Sequence, residues 1–261
     1  MLSHQTRYRY RNHQLGEVIC QLRFPEILAI AANPPVEFQE AIRSEYPGFL
    51  RRQDTPPPKV TGVPGHFNLE NPSVITNYQF TSMDGSWRVN LTSTFISLTC
   101  TQYTCWEDFA AKLDKPLAAF IRIYKPGYFQ RVGLRYLNFI SRQSLELEDV
   151  PFANLITPCY LGPLAEEDIA ETSVTRCSVD AEITLRGGCR AKIHAGPGIV
   201  KRPGKEDKEV KFIFDQDLFM PGQLPVNLSA GALQTLHTNA DTIFRNAITD
   251  QLHRAMEPEI L

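Results

Sequence analysis

Two arginines lie four residues apart in an otherwise apolar stretch, 129–140, and their type and spacing suit the binding of an anion. The alternation of the stretch predicts a β-strand that places Arg131, Gly133 and Arg135 on one face. Two guanidinium groups on one face could hold a phosphate or a carboxylate through paired hydrogen bonds. They could equally form structural ion pairs, because a buried guanidinium without a carboxylate is very costly.

We favour the structural interpretation of Arg131 and Arg135 and keep the anion site as the alternative. Glu17 lies on the first predicted strand, where its carboxylate could neutralise either arginine across the sheet. Asn138 follows on the same strand as the arginines, and buried amides need hydrogen-bond partners. We therefore expect Glu17, Arg131, Arg135 and Asn138 to form a polar network that holds the register of the sheet.

A glycine- and proline-rich segment, 196–209, is the second candidate for contact with an anion. Lys201, Arg202 and Lys205 give it positive charge, and such a loop could touch nucleic acid or an acidic partner. Three acidic residues dilute that charge, so we interpret the segment as a solvated hairpin tip. It lacks the Gly-Lys-Ser/Thr ending of a Walker loop.

Histidines and paired carboxylates supply weaker candidates for catalysis. His194 and His237 could each act as a lone general base, although packing on the last helix is the simpler interpretation of His237. We interpret Asp215 and Asp217 as solvated residues at a strand end, because no third carboxylate follows at a spacing useful for a metal. GxSxG, HExxH, GxGxxG and EF-hand patterns are absent from the sequence. We predict neither metal nor cofactor and lean against an enzyme.

The bulk composition is that of a globular protein with little net charge. The 261 residues are 43% hydrophobic and 21% charged, with a formal net charge of −2, so nothing attracts the whole chain to nucleic acid or anionic lipid. No apolar run approaches the roughly 18 residues of a membrane helix, and we expect no signal peptide because no apolar core follows the charged residues 7–11. We expect a cytoplasmic protein without a membrane partner. Six cysteines without CxxC spacing predict reduced, buried thiols.

The elements that position these residues follow from periodicity and turn signals. Alternating apolar residues predict strands at 15–24, 74–81, 129–140, 179–185, 189–193 and 210–214, and a return strand from Trp87 with a β-bulge near 93–95. Helical spacing predicts a helix after an Asn33 cap, a helix at 106–124, and a last helix that follows a Ser229 cap and ends at Pro258. Hairpins connect most strands, which predicts an α+β fold with a largely antiparallel sheet and helices on one face.

Two loosely similar halves follow, each with a strand meander before a long helix. We place the first at 1–141 and the second at 173–261, joined by an acidic connection at 142–172 that could also be a surface flap. A single continuous domain is the alternative.

Four pieces of the chain carry a resemblance to a known family. The most specific is Arg-Val-Gly-Leu-Arg-Tyr-Leu-Asn at 131–138. The others lie around Glu17-Val18, from Trp87 to Phe109, and from Leu236 to Asp250. The chain resembles a sporadically distributed, uncharacterised bacterial and archaeal family of similar length, whose function is not established. The resemblance implies one conserved architecture and no activity, and its patchy distribution is typical of genes that travel with mobile or defence loci.

These observations favour a non-enzymatic binding component that engages another protein, itself or a different subunit, and is accessory to a bacterial defence or toxin–antitoxin-like system. The alternative is an RNA-binding or RNA-processing protein that uses the basic segment, Arg131, Arg135 and the arginine- and tyrosine-rich arm 7–11. A weaker alternative is a nucleotide or small-molecule sensor with a pocket between helix and sheet.

Overall fold

The computed structural model describes residues 6–55, 59–63, 66–70, 74–201 and 207–260. Five helices lie within these ranges: α1 Leu28–Ala32, α2 Val36–Ile42, α3 Trp106–Tyr124, α4 Ser229–Ala247 and α5 Asp250–Ala255. The strands there are β1 Tyr8–Tyr10, β2 Leu15–Arg23, β3 Gly48–Asp54, β4 Lys59–Val63, β5 His66–Glu70, β6 Ile75–Thr81, β7 Trp87–Leu91, β8 Phe95–Cys100, β9 Phe129–Ile140, β10 Val179–Thr184, β11 Arg190–Ile199, β12 Val210–Leu224 and β13 Pro258–Ile260.

Nine of the described strands form one sheet in the order β10-β11-β12-β9-β2-β8-β7-β6-β3. Every neighbouring pair in it is antiparallel. Short connections account for the antiparallel pairs β6-β7, β7-β8, β10-β11 and β11-β12, since parallel neighbours need longer crossovers. The predicted α+β class with a largely antiparallel sheet is therefore confirmed.

The helices pack on one face of the sheet, which we call the inner face, and the opposite face is the outer face. Alternate residues of β2 and β9, such as Val18, Leu22, Val132 and Leu134, are fully buried on the inner face. Helix α4 lies across β9 and β12, and α3 packs against β8 and α2. The hydrophobic core fills this space, because it is where apolar faces of strands and helices meet.

Strands from the two predicted halves pair with each other. In the first half β9 runs beside β12 of the second, from Phe129 opposite Leu224 to Ile140 opposite Phe212. The acidic connection between the halves is not a surface flap, because Phe152, Leu155 and Ile156 are fully buried in the core. An isolated bridge also joins Ile156 to Ile248 at the end of α4.

Three predicted boundaries are wrong for local reasons. The expected bulge near 93–95 is a hairpin between β7 and β8, in which Thr92 Oγ1 accepts hydrogen bonds from the backbone N–H groups of Thr94 and Phe95. Asn33 ends α1 instead of capping the next helix, which begins at Val36 after Pro35. Gly196 lies in β11, and its small size there allows close approach, since a Cβ atom would lie 2.5 Å from the Cys177 carbonyl oxygen.

The last predicted helix is two helices. Ile248 is extended, with φ −104° and ψ 147°, and separates α4 from α5. Thr249 then caps α5, its Oγ1 accepting a hydrogen bond from the Leu252 N–H at 3.4 Å. The local sequence hides this break because the apolar spacing continues through it.

The cysteines are all free, and their burial differs from the prediction. Cys20, Cys100 and Cys189 are buried, as predicted, whereas Cys105 and Cys177 are half-buried and Cys159 is exposed. Among the described residues, no helix is both long enough and apolar enough to cross a membrane.

Candidate functional site

The arginines of β9 are engaged by two aspartates on the outer face. Arg131 Nη2 donates to both carboxylate oxygens of Asp217, at 2.6 and 2.8 Å. Arg135 donates to Asp215 through Nε at 2.8 Å and Nη2 at 2.5 Å. Both aspartates lie on β12 directly beside β9. The guanidinium groups therefore have structural carboxylate partners, the arrangement we favoured over an anion site.

The partner that we expected for these arginines is wrong. Glu17 pairs with Arg88 at 3.6 Å. Asp215 and Asp217 are central residues of a 15-residue strand and not solvated residues at its end. The error arises because β12 comes from the far half of the chain, and alternation within β9 carries no information about which strand lies beside it.

Gly133 accommodates the Arg131 side chain. A Cβ atom at Gly133 would lie 2.1 Å from Arg131 Nη1, so the guanidinium folds back across the glycine. It lies 4.6 Å from the ring centroid of Phe219, the residue paired with Gly133 on β12. Cation–π contact and ion pair together hold Arg131 along its own strand.

The structure separates the remaining predicted site residues. Asn138 lies on the inner face, where it is buried and donates to the Phe214 carbonyl at 3.3 Å, so it does not share a network with the arginines. Lys201 is exposed, and Arg202 and Lys205 lie outside the described residues. His194 is an exposed residue on the outer face that contacts Asp180 at 2.7 Å.

A cavity of about 100 Å³ lies on the inner face, and we call it the central cavity. It is enclosed by β1, the start of α3, α4 and the strands β9 and β12. Its polar lining residues include Arg7, Tyr10, Tyr103, Tyr136, Gln216, His237 and Asp241. Aromatic and aliphatic side chains, among them Phe244, Leu15 and Met256, complete the wall.

A directed chain of hydrogen bonds crosses one wall of the central cavity. Arg7 Nη2 lies 3.0 Å from His237 Nε2, and His237 Nδ1 lies 2.9 Å from the Tyr136 hydroxyl. The Tyr136 ring also meets the Tyr103 ring edge-on, with ring centroids 6.0 Å apart. Because arginine can only donate, Nε2 must accept and the ring proton must lie on Nδ1. His237 Nδ1–H then donates to the Tyr136 oxygen, and the Tyr136 O–H is left to donate.

The imidazole of His237 is held on both sides and stays neutral. Its ring stacks on Trp106 with a centroid distance of 4.7 Å and an interplanar angle of 8°. Burial, with a further contribution from Arg7, lowers the pKa of His237 to about 4. Since both ring nitrogens are occupied, His237 offers neither a lone pair nor an N–H to a substrate. The arrangement does not suit a general base, and His237 orients its neighbours.

Asp241 places a carboxylate in the wall formed by α4. Burial raises the pKa of Asp241 to about 6, and nearby Arg7 partly offsets this effect. The carboxylate acts electrostatically on the hydroxyl groups of Tyr10, Tyr103 and Tyr136. Within the described ranges, no side chain donates a hydrogen bond to Asp241 or forms an ion pair with it.

Gln216 contributes a second acceptor without a partner. The residue is 2% exposed, lies on β12 opposite Tyr136, and lines the central cavity. Its Oε1 atom is buried and has no hydrogen-bond partner among the described residues. Such groups are uncommon, because a buried acceptor without a donor costs about 1–3 kcal/mol.

The N-terminal arm closes the cavity on its remaining side. Tyr8–Tyr10 pairs with Pro258–Ile260 as a two-stranded sheet, so the arm contains a strand. The Tyr10 hydroxyl lies 2.9 Å from His253 Nδ1, and the Tyr10 ring packs edge-on against Phe244. Arg9 of the arm is exposed and also lines the cavity.

Sequence reasoning singled out Asn138 and His237, which it interpreted as structural, and the arm 7–11, which it weighed for RNA binding; both residues and positions 7–10 of the arm line the cavity. It missed Gln216 and Asp241. A signal for Gln216 was present, because Phe212, Phe214 and Leu218 alternate with it toward the inner face, and a glutamine in that series is a polar residue on an apolar face. Asp241 carries no comparable signal, since the register of a helix does not reveal a cavity beside it.

Comparison of the chain with models of protein families gave no match, and comparison with curated proteins gave none either.

Proposed function

We propose that the chain is a non-enzymatic binding protein that senses a small molecule in the central cavity. Gln216 carries this proposal: it places a buried acceptor without a partner at the wall of a cavity lined by aromatic side chains. Ligand sites are typically apolar concavities with a few convergent polar groups, and this cavity has that composition. A ligand that donates to Gln216 Oε1 would recover the free energy lost there.

The path of the chain also supports a ligand site. Residues from the N-terminal arm, the start of α3, two sheet strands and α4 converge on one cavity. A ligand bound there would contact all of these elements. It would stabilise the folded state, because the unfolded chain has no such cavity to bind it. Binding would therefore be visible as a rise in melting temperature.

Filling the cavity is a direct test. Ala240 is 1% exposed and lines the central cavity from α4. We expect Ala240→Leu to place its added carbons in the cavity, to leave the fold intact, and to abolish the thermal shift produced by ligands of the wild-type protein. Ala230→Leu is the matched control, because Ala230 is exposed on the same helix. Retention of every ligand-induced shift in Ala240→Leu would rule out the cavity as the site.

The RNA alternative has less support from the geometry. Arg131 and Arg135 are each engaged by an aspartate, and Tyr8 and Tyr10 pack against His253. RNA binding would therefore depend on Lys201 and on residues outside the described ranges. Binding of labelled RNA with strong salt dependence would restore it, since phosphate contacts weaken as salt rises.

A protein partner and a role in a defence system stay predictions. A sensor must report its ligand, and the strands at the two ends of the sheet, β3 and β10, leave backbone groups available for pairing. Co-purification from the native host, with and without the ligand, checks for a partner.

A further inference from the structure

The hydrogen-bonding groups of the central cavity define what its ligand must offer; this step rests on the proposed function. Gln216 Oε1 and the Asp241 carboxylate both accept, and neither has a donor among the described residues. The Tyr136 O–H donates, because the chain from Arg7 through His237 orients it and Tyr136 lines the cavity. A complementary ligand has donors for the two acceptors and an acceptor for Tyr136.

The size of the cavity restricts the ligand to about one ring. Its volume is about 100 Å³, and exposed Arg9 is part of its lining. A cavity of roughly 150 Å³ holds benzene, so this smaller one holds at most one six-membered ring, with an edge of the ring toward Arg9. The flanking rings of Tyr10, Tyr103 and Phe244 favour a flat ligand.

The charges around the cavity favour a neutral ligand. Arg7 and Arg9 line it and oppose a cation, while Asp241 and Gln216 Oε1 oppose an anion. An apolar ring is equally unsuited, because it would leave both acceptors without donors.

We propose that the central cavity binds a neutral six-membered heterocycle with ring N–H groups beside a carbonyl, the chemistry of a pyrimidine base such as uracil. The N–H groups donate to Gln216 Oε1 and Asp241, and the carbonyl accepts from Tyr136. The base is either free or part of a nucleoside or nucleotide, whose remainder would extend past Arg9 to solvent.

The test uses the full chain and four probes of similar size: uracil, benzene, benzoate and benzamidine. Calorimetry and thermal shift should show that uracil binds one-to-one and more tightly than the other three. Uridine and uridine monophosphate show whether the natural ligand is the free base or a nucleotide. A site for the free base excludes both, whereas a site for a nucleotide binds the monophosphate best.

The decisive variant is Gln216→Met, which keeps the approximate shape of the side chain and removes its acceptor. It should raise the melting temperature of the ligand-free protein, because a buried acceptor without a partner is lost, and should weaken uracil binding about tenfold or more. Gln223→Met, at an exposed position of the same strand, should change neither.

Each contrary outcome has a separate meaning. If benzene, benzoate or benzamidine binds as tightly as uracil, the ligand class is wrong and the sensing cavity stands. If uracil binds wild type and Gln216→Met equally, the assignment of Gln216 is overturned. If no probe binds and Ala240→Leu alters no ligand response, both the ligand class and the proposed function fail.

Discussion

At the scale of single residues, the two faces of β9 use polar groups in opposite ways. On the outer face Arg131 and Arg135 meet carboxylates, and Gly133 leaves space for one guanidinium. On the inner face Tyr136 belongs to a hydrogen-bond chain that ends in the central cavity. The outer groups have partners within the protein, whereas the inner face keeps acceptors without partners. This asymmetry is why we place the ligand site on the inner face.

Removing one outer carboxylate should cost stability. Asp217 is 29% exposed and Arg131 is 22% exposed, so Asp217→Asn should lower the free energy of unfolding by about 1–2 kcal/mol, the value for a partly screened charged hydrogen bond. Urea denaturation measures this, with Asp114→Asn at an exposed site of α3 as control. If the variant instead kept full stability and bound phosphate more tightly, Arg131 would belong to an anion site.

The pKa values of Asp241 and His237 predict opposing effects of pH on stability. The Asp241 pKa is raised to about 6 in the fold, so its contribution to stability falls as pH rises from about 4 to 6. The His237 pKa is lowered to about 4, so its contribution rises between about pH 4 and 6.5. In the wild type these two opposite changes of stability with pH largely cancel.

Substitution should reveal each slope. Asp241→Asn should gain about 2–3 kcal/mol of stability between pH 4 and 6.5, because only the His237 effect remains. His237→Gln should lose a similar amount between pH 4 and 6. Urea titrations at several pH values check both, and the slopes are compared because each substitution also changes absolute stability. Parallel profiles for the two variants would contradict the assigned pKa shifts.

At the scale of elements, short breaks position the cavity walls. Ile248 ends α4 by adopting an extended conformation, and Thr249 starts α5. The break lets α5 turn so that His253 contacts Tyr10 of the arm. A continuous helix would carry His253 past β1, and the arm would lose this contact.

The Thr249 hydroxyl should account for much of this break. Thr249 Oγ1 accepts from the Leu252 N–H at 3.4 Å and donates to the Asn154 carbonyl at 2.7 Å. Thr249→Ala should therefore lower the free energy of unfolding by about 1–2 kcal/mol, and Thr249→Ser should restore most of it. Chemical denaturation of the three proteins provides the comparison. Equal losses in the alanine and serine variants would show that the methyl group matters instead of the hydroxyl.

At the scale of the whole molecule, the pairing of β9 with β12 joins the two predicted halves into one sheet. Helix α4 then packs on strands from both halves. A continuous sheet under shared helices should unfold as one cooperative unit, because neither half can keep its core without the other.

A core substitution in the second half should therefore be detected in the first. Ile243 of α4 is fully buried, and Ile243→Ala should cost about 2–5 kcal/mol. Both tryptophans, Trp87 and Trp106, lie in the first half, and Trp106→Phe leaves Trp87 as the reporter because Trp106 stacks on His237 of α4. The fluorescence and circular dichroism midpoints should shift together. A tryptophan transition that stays in place while the dichroism midpoint moves would mean two independent domains.

The sequence alone determined the fold class and the elements with the clearest periodicity. Helix α3 was predicted with both ends correct, and the strand containing Arg131 to Asn138 was predicted in full, since periodicity and turn chemistry are local properties. Boundaries failed where a side chain changed the backbone, as at Thr92 and Thr249.

Only the tertiary structure decided the candidate site. Arg7 and His237 are 230 positions apart and contact each other because β1 pairs with β13 and α4 crosses β9. Likewise, Arg131 pairs with Asp217 because β12, and no other strand, lies on that side of β9. Strand order and helix placement result from burying the apolar faces of the whole chain at once, and no local pattern records that result.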